Sequence, residues 1–305
     1  MKRKIILTVL SVVALVVFGG GVYAYYLFHS VKETATKMHE EVKLSTPHEA
    51  PKITPEQNNE HIEPISILLL GVDERKNDVG RSDTMIVMTL NPEKKKMQMI
   101  SIPRDTRTEI VGHGTVDKIN HAYAFGGPSM SIDTVENFTG IKIDYFIRVN
   151  MEALSGLVDA VGGVTVHNNL DWTESGYHYK KGELSLDGKH ALAYARMRHD
   201  DPNGDFGRNE RQRQIIMAII NKAASFSSVT KFDDILNVLG NNVKTNLTFD
   251  NMMDIQKNYR DCRENLEQYE VKGKGEMINK IYYLDVPDEE KQKVTNMLKS
   301  NLDEN

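Results

Sequence analysis

One cysteine, Cys262, is all the thiol chemistry in 305 residues. No intrachain disulfide can form, and a thiolate zinc cage is excluded. A domain of this size can do without disulfides even in an oxidising compartment. There is no long basic tract, and 38 Lys and Arg against 43 Asp and Glu leave a formal charge of −5. Affinity for nucleic acid rests on many Lys and Arg contacts to phosphate, so no nucleic-acid partner is expected. The chain has no Gly-x-Ser-x-Gly elbow, no His-Glu-x-x-His helix and no Gly-x-x-x-x-Gly-Lys phosphate loop, which removes three common hydrolase and nucleotide-binding designs. His113, His121, His190 and His199 are scattered rather than grouped. No internal repeat or low-complexity tract is present.

What the chain does have begins at its N-terminus. Lys2, Arg3 and Lys4 precede an uncharged run from Ile5 to Phe28. About 24 helical residues would reach roughly 36 Å, enough to cross a hydrocarbon core of about 30 Å. The positive-inside rule keeps residues 1–4 cytoplasmic and puts everything after Phe28 outside, so a single-pass type II cell-membrane anchor over 5–28 is expected. A cleaved signal peptide is the competing reading, because Val22-Tyr23-Ala24 has small residues where a peptidase cuts; the apolar run continues past them to Phe28. Residues 29–64 turn polar, with Thr46-Pro47, Ala50-Pro51 and Thr54-Pro55, and read as an extracellular stalk with a short juxtamembrane helix.

The folded domain is expected over 65–305. Ile65 to Val72 is a near-continuous apolar run, as in a strand buried on both faces. Thr84–Leu90 and Lys96–Ile102 read as a hairpin across Asn91-Pro92-Glu93-Lys94. Helical stretches are expected over Lys118–Phe125, Asp133–Phe138, Met151–Val161, Leu186–Ala195, Arg208–Ala224, Phe232–Leu239, Asn251–Tyr259 and Pro287–Leu302, with strands at Tyr145–Val149, Val164–His167 and Ile281–Leu284. Ile215, Ile216, Ile219 and Ile220 form an apolar stripe on the longest helix. Interleaved strands and helices indicate a layered α/β domain.

Three polar segments interrupt these apolar surroundings, and each pairs Arg with Asp. The first is Gly71-Val72-Asp73-Glu74-Arg75 with Arg81-Ser82-Asp83. The second is Ile102-Pro103-Arg104-Asp105. The third runs from Arg196-Met197-Arg198 through Asp205 and Arg208 to Arg211-Gln212. Strand ends and the loops beyond them are where α/β proteins place ligand-binding groups. Arginine forks match phosphate oxygens two at a time, and several around one cleft suit a diphosphate. Carboxylates among them suit a hard cation such as Mg²⁺. Arg208 and Gln212 lie four apart and share a helix face near its N-terminus, itself favourable for an anion. If Arg196 and Arg198 are extended, both point to one side. Arg107, Lys94 to Lys96 and Arg213 read as solvated surface.

These residues resemble the LytR-CpsA-Psr family of Gram-positive cell-envelope proteins. The resemblance is carried by Leu69-Leu70-Gly71-Val72-Asp73, Arg81-Ser82-Asp83-Thr84, Ile102-Pro103-Arg104-Asp105, Lys118-Ile119-Asn120-His121-Ala122, Val161-Gly162-Gly163-Val164, Tyr194-Ala195-Arg196-Met197-Arg198 and Asp205-Phe206-Gly207-Arg208. It spans 65–224 in order. It implies a three-layer α/β/α domain with a central mixed sheet, preceded by one transmembrane helix, with an apolar pocket for a polyprenyl chain. It implies a phosphotransferase moving an anionic glycopolymer, typically wall teichoic acid, from undecaprenyl diphosphate to the 6-hydroxyl of peptidoglycan N-acetylmuramic acid, with Mg²⁺ as cofactor. Carried over, Asp73, Asp83 and Arg104 are catalytic, with Asp73 and Asp83 metal-associated. Arg75, Arg81, Arg196, Arg198, Arg208 and Gln212 bind the diphosphate. Asp83 is also a candidate acceptor for the hydroxyl proton.

Three other functions remain open on the sequence. One is a pyrophosphatase on the same donor, with water in place of the sugar. Another is a non-catalytic binder of polyprenyl diphosphate or glycan. The third is a regulatory membrane protein acting as a transcriptional attenuator, which a domain beyond the membrane disfavours as a direct DNA binder.

Overall fold

The structure, a computed structural model, describes residues 25–51, 61–74, 79–198, 200–224 and 232–304. The transmembrane segment expected over 5–28 therefore lies mostly outside the described residues. No helix among the described residues is long and apolar enough to cross a membrane.

The centre is a six-stranded mixed sheet. Strands β1 (Ile65–Val72), β2 (Ser82–Asn91) and β3 (Lys96–Ser101) form an antiparallel run. β6 (Tyr145–Asn150) lies parallel to β1 on one side, and β12 (Asn265–Glu270) lies parallel to β3 on the other. β11 (Val243–Thr245) pairs antiparallel to β6 and completes the order β11-β6-β1-β2-β3-β12. Every residue of β1 is buried, as its unbroken apolar run requires. Leu68, Leu70 and Val72 face one layer, packed with α2 (His121–Thr139) and α8 (Asp288–Leu302) through Ile132, Val135, Val294 and Leu298. Ile65, Ile67 and Leu69 face the other, with Ile216 of α5 (Asp205–Ala224), Ile255 of α7 (Phe249–Asn258) and Tyr259. Helices on both faces confirm a layered α/β domain about a mixed sheet.

A second cluster joins α3 (Met151–Ala160), α4 (Gly188–Arg196) and Ile215 of α5 to the hairpin of β7 (Val164–Asn168) and β10 (Gly182–Leu186). Small hairpins complete the fold: β4 (Arg107–Ile110) with β5 (Thr115–Lys118), β8 (Trp172–Glu174) with β9 (Tyr177–Tyr179), and β13 (Lys274–Ile278) with β14 (Ile281–Asp285). The expected helix Lys118–Phe125 starts later, at His121. It runs through a kink at Gly126-Gly127 into the second expected helix, so the two are one element.

The polar segment read as a stalk is docked over much of its described length. Residues 25–38 form a helix, α1, where the sequence predicts one. Ala35 and Met38 are buried, His39 bridges to Thr245, and Val42 and Leu44 pack on the α2/α8 core. A polar composition does not exclude docking when a few apolar residues find a groove.

At the entry to β6, Asp144 ties two strands together. Its carboxylate accepts from Ser66 N at 2.7 Å and Ser66 Oγ at 2.8 Å. Burial pushes this carboxyl up to about 6, against the opposing pull of the Ser66 hydrogen bonds and His48. Because the folded value lies above the unfolded one, the folded state retains a proton that the unfolded chain releases between about pH 4 and pH 6. Stability is therefore lost as pH rises through that window, by about 3 kcal/mol in order of magnitude. Asp144→Asn keeps an acceptor oxygen and removes the ionisation. Its stability relative to the natural chain is expected to improve between urea unfolding at pH 4.5 and at pH 7; a constant difference would contradict the assignment.

Candidate functional site

Because β2 is antiparallel to both β1 and β3, the strands β6, β1, β3 and β12 all run the same way. Their carboxyl ends share one edge of the sheet, and the start of β2 joins them there. Asp73 follows β1 directly, Ser82 and Asp83 open β2, and Arg104 and Asp105 follow β3. The connection between β1 and β2 closes tightly, with Asp73 N donating to the Arg81 carbonyl at 3.3 Å. Gly80 makes this possible: its φ is +73°, and a Cβ there would sit 2.6 Å from the Asp73 carbonyl oxygen.

The catalytic residues expected from the sequence meet at this edge. Arg104 Nη1 donates to Asp83 Oδ1 at 2.9 Å, with the two side chains 20% and 27% exposed. Arg104 Nε lies 3.6 Å from Asp105 Oδ2, and Lys118 Nζ donates to Asp105 Oδ1 at 2.6 Å. Across the edge, Arg196 Nη2 comes within 3.6 Å of Asp73 Oδ1. Arg196 is the last residue of α4, Met197 is buried beneath it, and Arg198 is exposed beyond. Both arginines thus face outward, although Arg196 is helical rather than extended. Arg81 is exposed. Arg75 lies outside the described residues, as does His199.

Arg208 and Gln212 sit one turn apart in the first half of α5, and both are buried. Thr84 Oγ1 donates to Gln212 Oε1 at 2.6 Å, which fixes this helix face to the start of β2. Thr84, Gln212 and Gly71 are among the residues that line an apolar cavity of about 200 Å³. The rest of its wall is apolar, including Leu69, Leu157, Ile216, Ile219 and Ile220. The isoleucine stripe of α5 is therefore divided: Ile215 enters the α3/α4 core, while its neighbours line this cavity. Asp73 is two residues from Gly71, and Asp83 adjoins Thr84. The charged edge and the apolar cavity are contiguous along the chain.

Two arginines have a different place from the one expected. Arg213, read as solvated surface, is buried. It donates to Ser101 Oγ at 2.7 Å and to Glu270 Oε2 at 3.2 Å. Arg211, grouped with the ligand-binding set, is buried against Asp201 and the Tyr194 and Met197 carbonyls. Burial of these arginines follows the elements that face them: the end of α4 and the loop after it for Arg211, and β3 and β12 for Arg213.

Arg148 was not singled out in the sequence, although a charge between Ile147 and Val149 within an apolar strand is a visible signal. Its Nη1 donates to Glu74 Oε2 at 2.7 Å and to the Tyr123 hydroxyl at 3.1 Å, holding the residue after Asp73. Burial pushes the Tyr123 hydroxyl up, while Arg148 pulls it the other way. Among the described residues, no group of three or more His, Cys, Asp or Glu is arranged to hold a metal. Mg²⁺ needs only one or two protein carboxylates when phosphate oxygens and water supply the rest. Asp73 and Asp83 offer hard oxygens at adjacent strand ends, each already facing an arginine.

Comparison with known proteins places the chain in a family. The family model described as LytR_cpsA_psr matches residues 25–300. A Bacillus subtilis (strain 168) protein named polyisoprenyl-teichoic acid–peptidoglycan teichoic acid transferase TagU is 50% identical over 302 residues, covering 99% of this chain and 97% of its own. The crystal structure of B. subtilis TagU aligns with a TM-score of 0.66, over 80% of this chain and 98% of that one. A structure described as TagT bound to LI-WTA aligns with a TM-score of 0.71 at 29% identity, over 86% of this chain and all of that one. The chain belongs to the LytR-CpsA-Psr family.

Proposed function

We propose that this chain is a phosphotransferase that moves an anionic glycopolymer, wall teichoic acid in the first instance, from undecaprenyl diphosphate to the 6-hydroxyl of N-acetylmuramic acid in peptidoglycan. One observation carries the reading: an apolar cavity lined by Gly71 and Thr84, whose chain neighbours Asp73 and Asp83 belong to an edge of arginines and carboxylates. An amphiphilic donor needs both parts, a dry channel for its tail and cationic forks for its diphosphate. The relatives named as teichoic acid transferases support the same chemistry.

In this reading Arg104, Arg196, Arg198 and Arg208, with Arg81 and Arg75, hold the diphosphate oxygens, and Gln212 orients the first phosphate above the cavity. Asp73 and Asp83 would hold Mg²⁺, which supplies charge neutralisation at the phosphate oxygens when bound. Phosphoryl transfer depends chiefly on positioning and on stabilising charge, and ion pairs with Asp83 and Asp73 pre-orient Arg104 and Arg196. Membrane anchoring through residues 5–28 would hold the site near a donor that is itself embedded in the bilayer. The acidic net charge argues against a nucleic-acid partner.

The test is transfer by the full chain in lipid vesicles, given polyprenyl-diphosphate-linked teichoic acid precursor and peptidoglycan oligosaccharide, with and without chelator. A covalent polymer–glycan product that disappears on chelation is expected. Release of free polymer phosphate alone would mean hydrolysis instead. Ile220→Trp should fill the cavity and raise KM for a long-tailed donor by about tenfold or more through overpacking. A donor with a two-isoprene tail should be unaffected; equal effects on both would remove the tail from the cavity.

A further inference from the structure

Beside the charged edge lies a surface at the start of α2. The loop after β3 and the start of α2 are joined by backbone hydrogen bonds: Ile119 N donates to the Thr106 carbonyl at 2.8 Å, and Asn120 N to that of Arg104 at 3.4 Å. α2 therefore begins against Arg104, and its first residue is His121. Four residues on, Phe125 is 44% exposed.

Two imidazoles flank that ring. His113, at the tip of the β4–β5 hairpin, stacks on Phe125 with centroids 3.9 Å apart and planes 7° from parallel. Its Nδ1 lies 2.9 Å from Thr115 Oγ1, which sets the ring's orientation. His121 meets Phe125 edge-on at 6.0 Å. His121 Nδ1 is hydrogen-bonded to Asp117 Oδ2 at 2.8 Å, so Nε2 is the nitrogen left to face a ligand. Asp117 also accepts from Lys118 N at 2.8 Å and from the Tyr283 hydroxyl at 3.2 Å. Burial acts to raise the Asp117 carboxyl, but hydrogen bonds from His121, Lys118 N and Tyr283 together bring it below the usual range. The carboxylate stays charged and holds the imidazole in one orientation.

We propose that Phe125, His113 and His121 form the acceptor-saccharide subsite, on which a sugar ring of the glycan strand packs its apolar face while His121 Nε2 hydrogen-bonds one of its hydroxyls. This rests on the transfer reading above, and it says where the second substrate lies. A saccharide presents C–H faces and hydroxyl edges, and an exposed ring between two oriented imidazoles matches both. The occupant is a neutral sugar rather than the anionic polymer, since Asp117 and Asp105 place carboxylates beside the surface. Continuity with Arg104 places it within the same substrate path. Lys118 links the two regions, since its Nζ binds Asp105 and lies 5.8 Å from the Tyr283 ring centroid.

Two measurements on the full chain in detergent test this. Transfer kinetics are measured with acceptor and donor varied separately, and binding of a neutral N-acetylglucosamine tetrasaccharide is followed by ligand-observed NMR. Phe125→Ala is expected to raise the acceptor KM and the glycan Kd by about tenfold, the loss of one aromatic contact. The donor KM should stay within twofold, and Phe125→Trp should restore the acceptor KM. An unchanged acceptor KM in Phe125→Ala, or an equal rise in donor KM, would overturn the subsite. Glycan binding that depends on Phe125 in a chain showing no transfer would uphold the subsite and refute the transfer reading.

Discussion

Arg104→Ala is expected to lower kcat for polymer transfer by about 100- to 1,000-fold, the usual cost of removing one charge-stabilising donor from a site. Arg104 is the residue at which the edge converges. It reaches Asp83 at 2.9 Å and approaches Asp105 at 3.6 Å, while its carbonyl receives Asn120 N. Alanine removes the fork and leaves the Asp83 carboxylate without that counter-charge, so two carboxylates would confront an anionic substrate. Arg104→Lys should recover only part of the loss, because an ammonium cannot match two oxygens in one plane. Asp83→Asn separates charge from geometry: the amide oxygen can still accept from Arg104, but Mg²⁺ dependence should weaken. Thermal stability should change little in all three, since these side chains are partly exposed. Arg104→Ala within threefold of the natural rate would remove Arg104 from the catalytic set.

The largest effect on stability is expected at Arg211, whose pairing with Asp201 is nearly closed to solvent at 5% and 1% side-chain exposure. Its Nε donates to the Tyr194 carbonyl at 3.1 Å and Nη2 to that of Met197. The guanidinium also lies over Trp172, 5.8 Å from the ring centroid. Gly207 presses on the same carboxylate, and a Cβ there would fall 1.8 Å from Asp201 Oδ2. One arginine thus clamps the end of α4, the loop after it and the start of α5. Those three pieces carry Arg196, Arg198 and Arg208.

Arg211→Ala leaves a buried aspartate and two carbonyls without their donor, and should cost about 3–5 kcal/mol. In a chain of this size that is roughly a 10 °C fall in Tm. Arg211→Met combined with Asp201→Leu should recover much of it, because apolar replacement of both partners removes the uncompensated charge. The double variant should still lose transfer activity, since the loop bearing Arg198 is no longer tied down. Arg211→Ala within about 1 kcal/mol of the natural chain would show that the clamp contributes little.

How much of this was legible beforehand depends on whether the signal was local. β1 could be read because eight successive buried residues leave no other explanation in a chain of layered α/β pattern. The hairpin of β2 and β3, α3 and α5 followed from periodicity, and the paired Asp73, Asp83 and Arg104 from their place at strand ends. The expected Arg208–Gln212 face was also correct, being fixed by helical spacing alone. By contrast, β4, β5, β12 and β13 were not expected. They are short and polar, and they lie in surface hairpins or at the sheet edge, where alternation carries little information.

The sequence by itself determined the layered α/β class, the apolar strands at its centre and the residues gathered at their carboxyl ends, because each depends on local pattern and on a general rule for where such ends point. Only the tertiary structure decided which arginines are exposed at the sheet edge, as Arg81, Arg196 and Arg198 are, and which are buried. Arg211 and Arg213 are buried with Arg208 on one helix, and the groups that pair with the first two, Asp201 across a loop and Glu270 on a distant strand, come from other elements. It likewise decided that much of polar residues 29–51 lies along the domain and that Phe125 stands between His113 and His121. Such choices are set by which surfaces meet, and a burial partner far away in sequence leaves no mark on local composition.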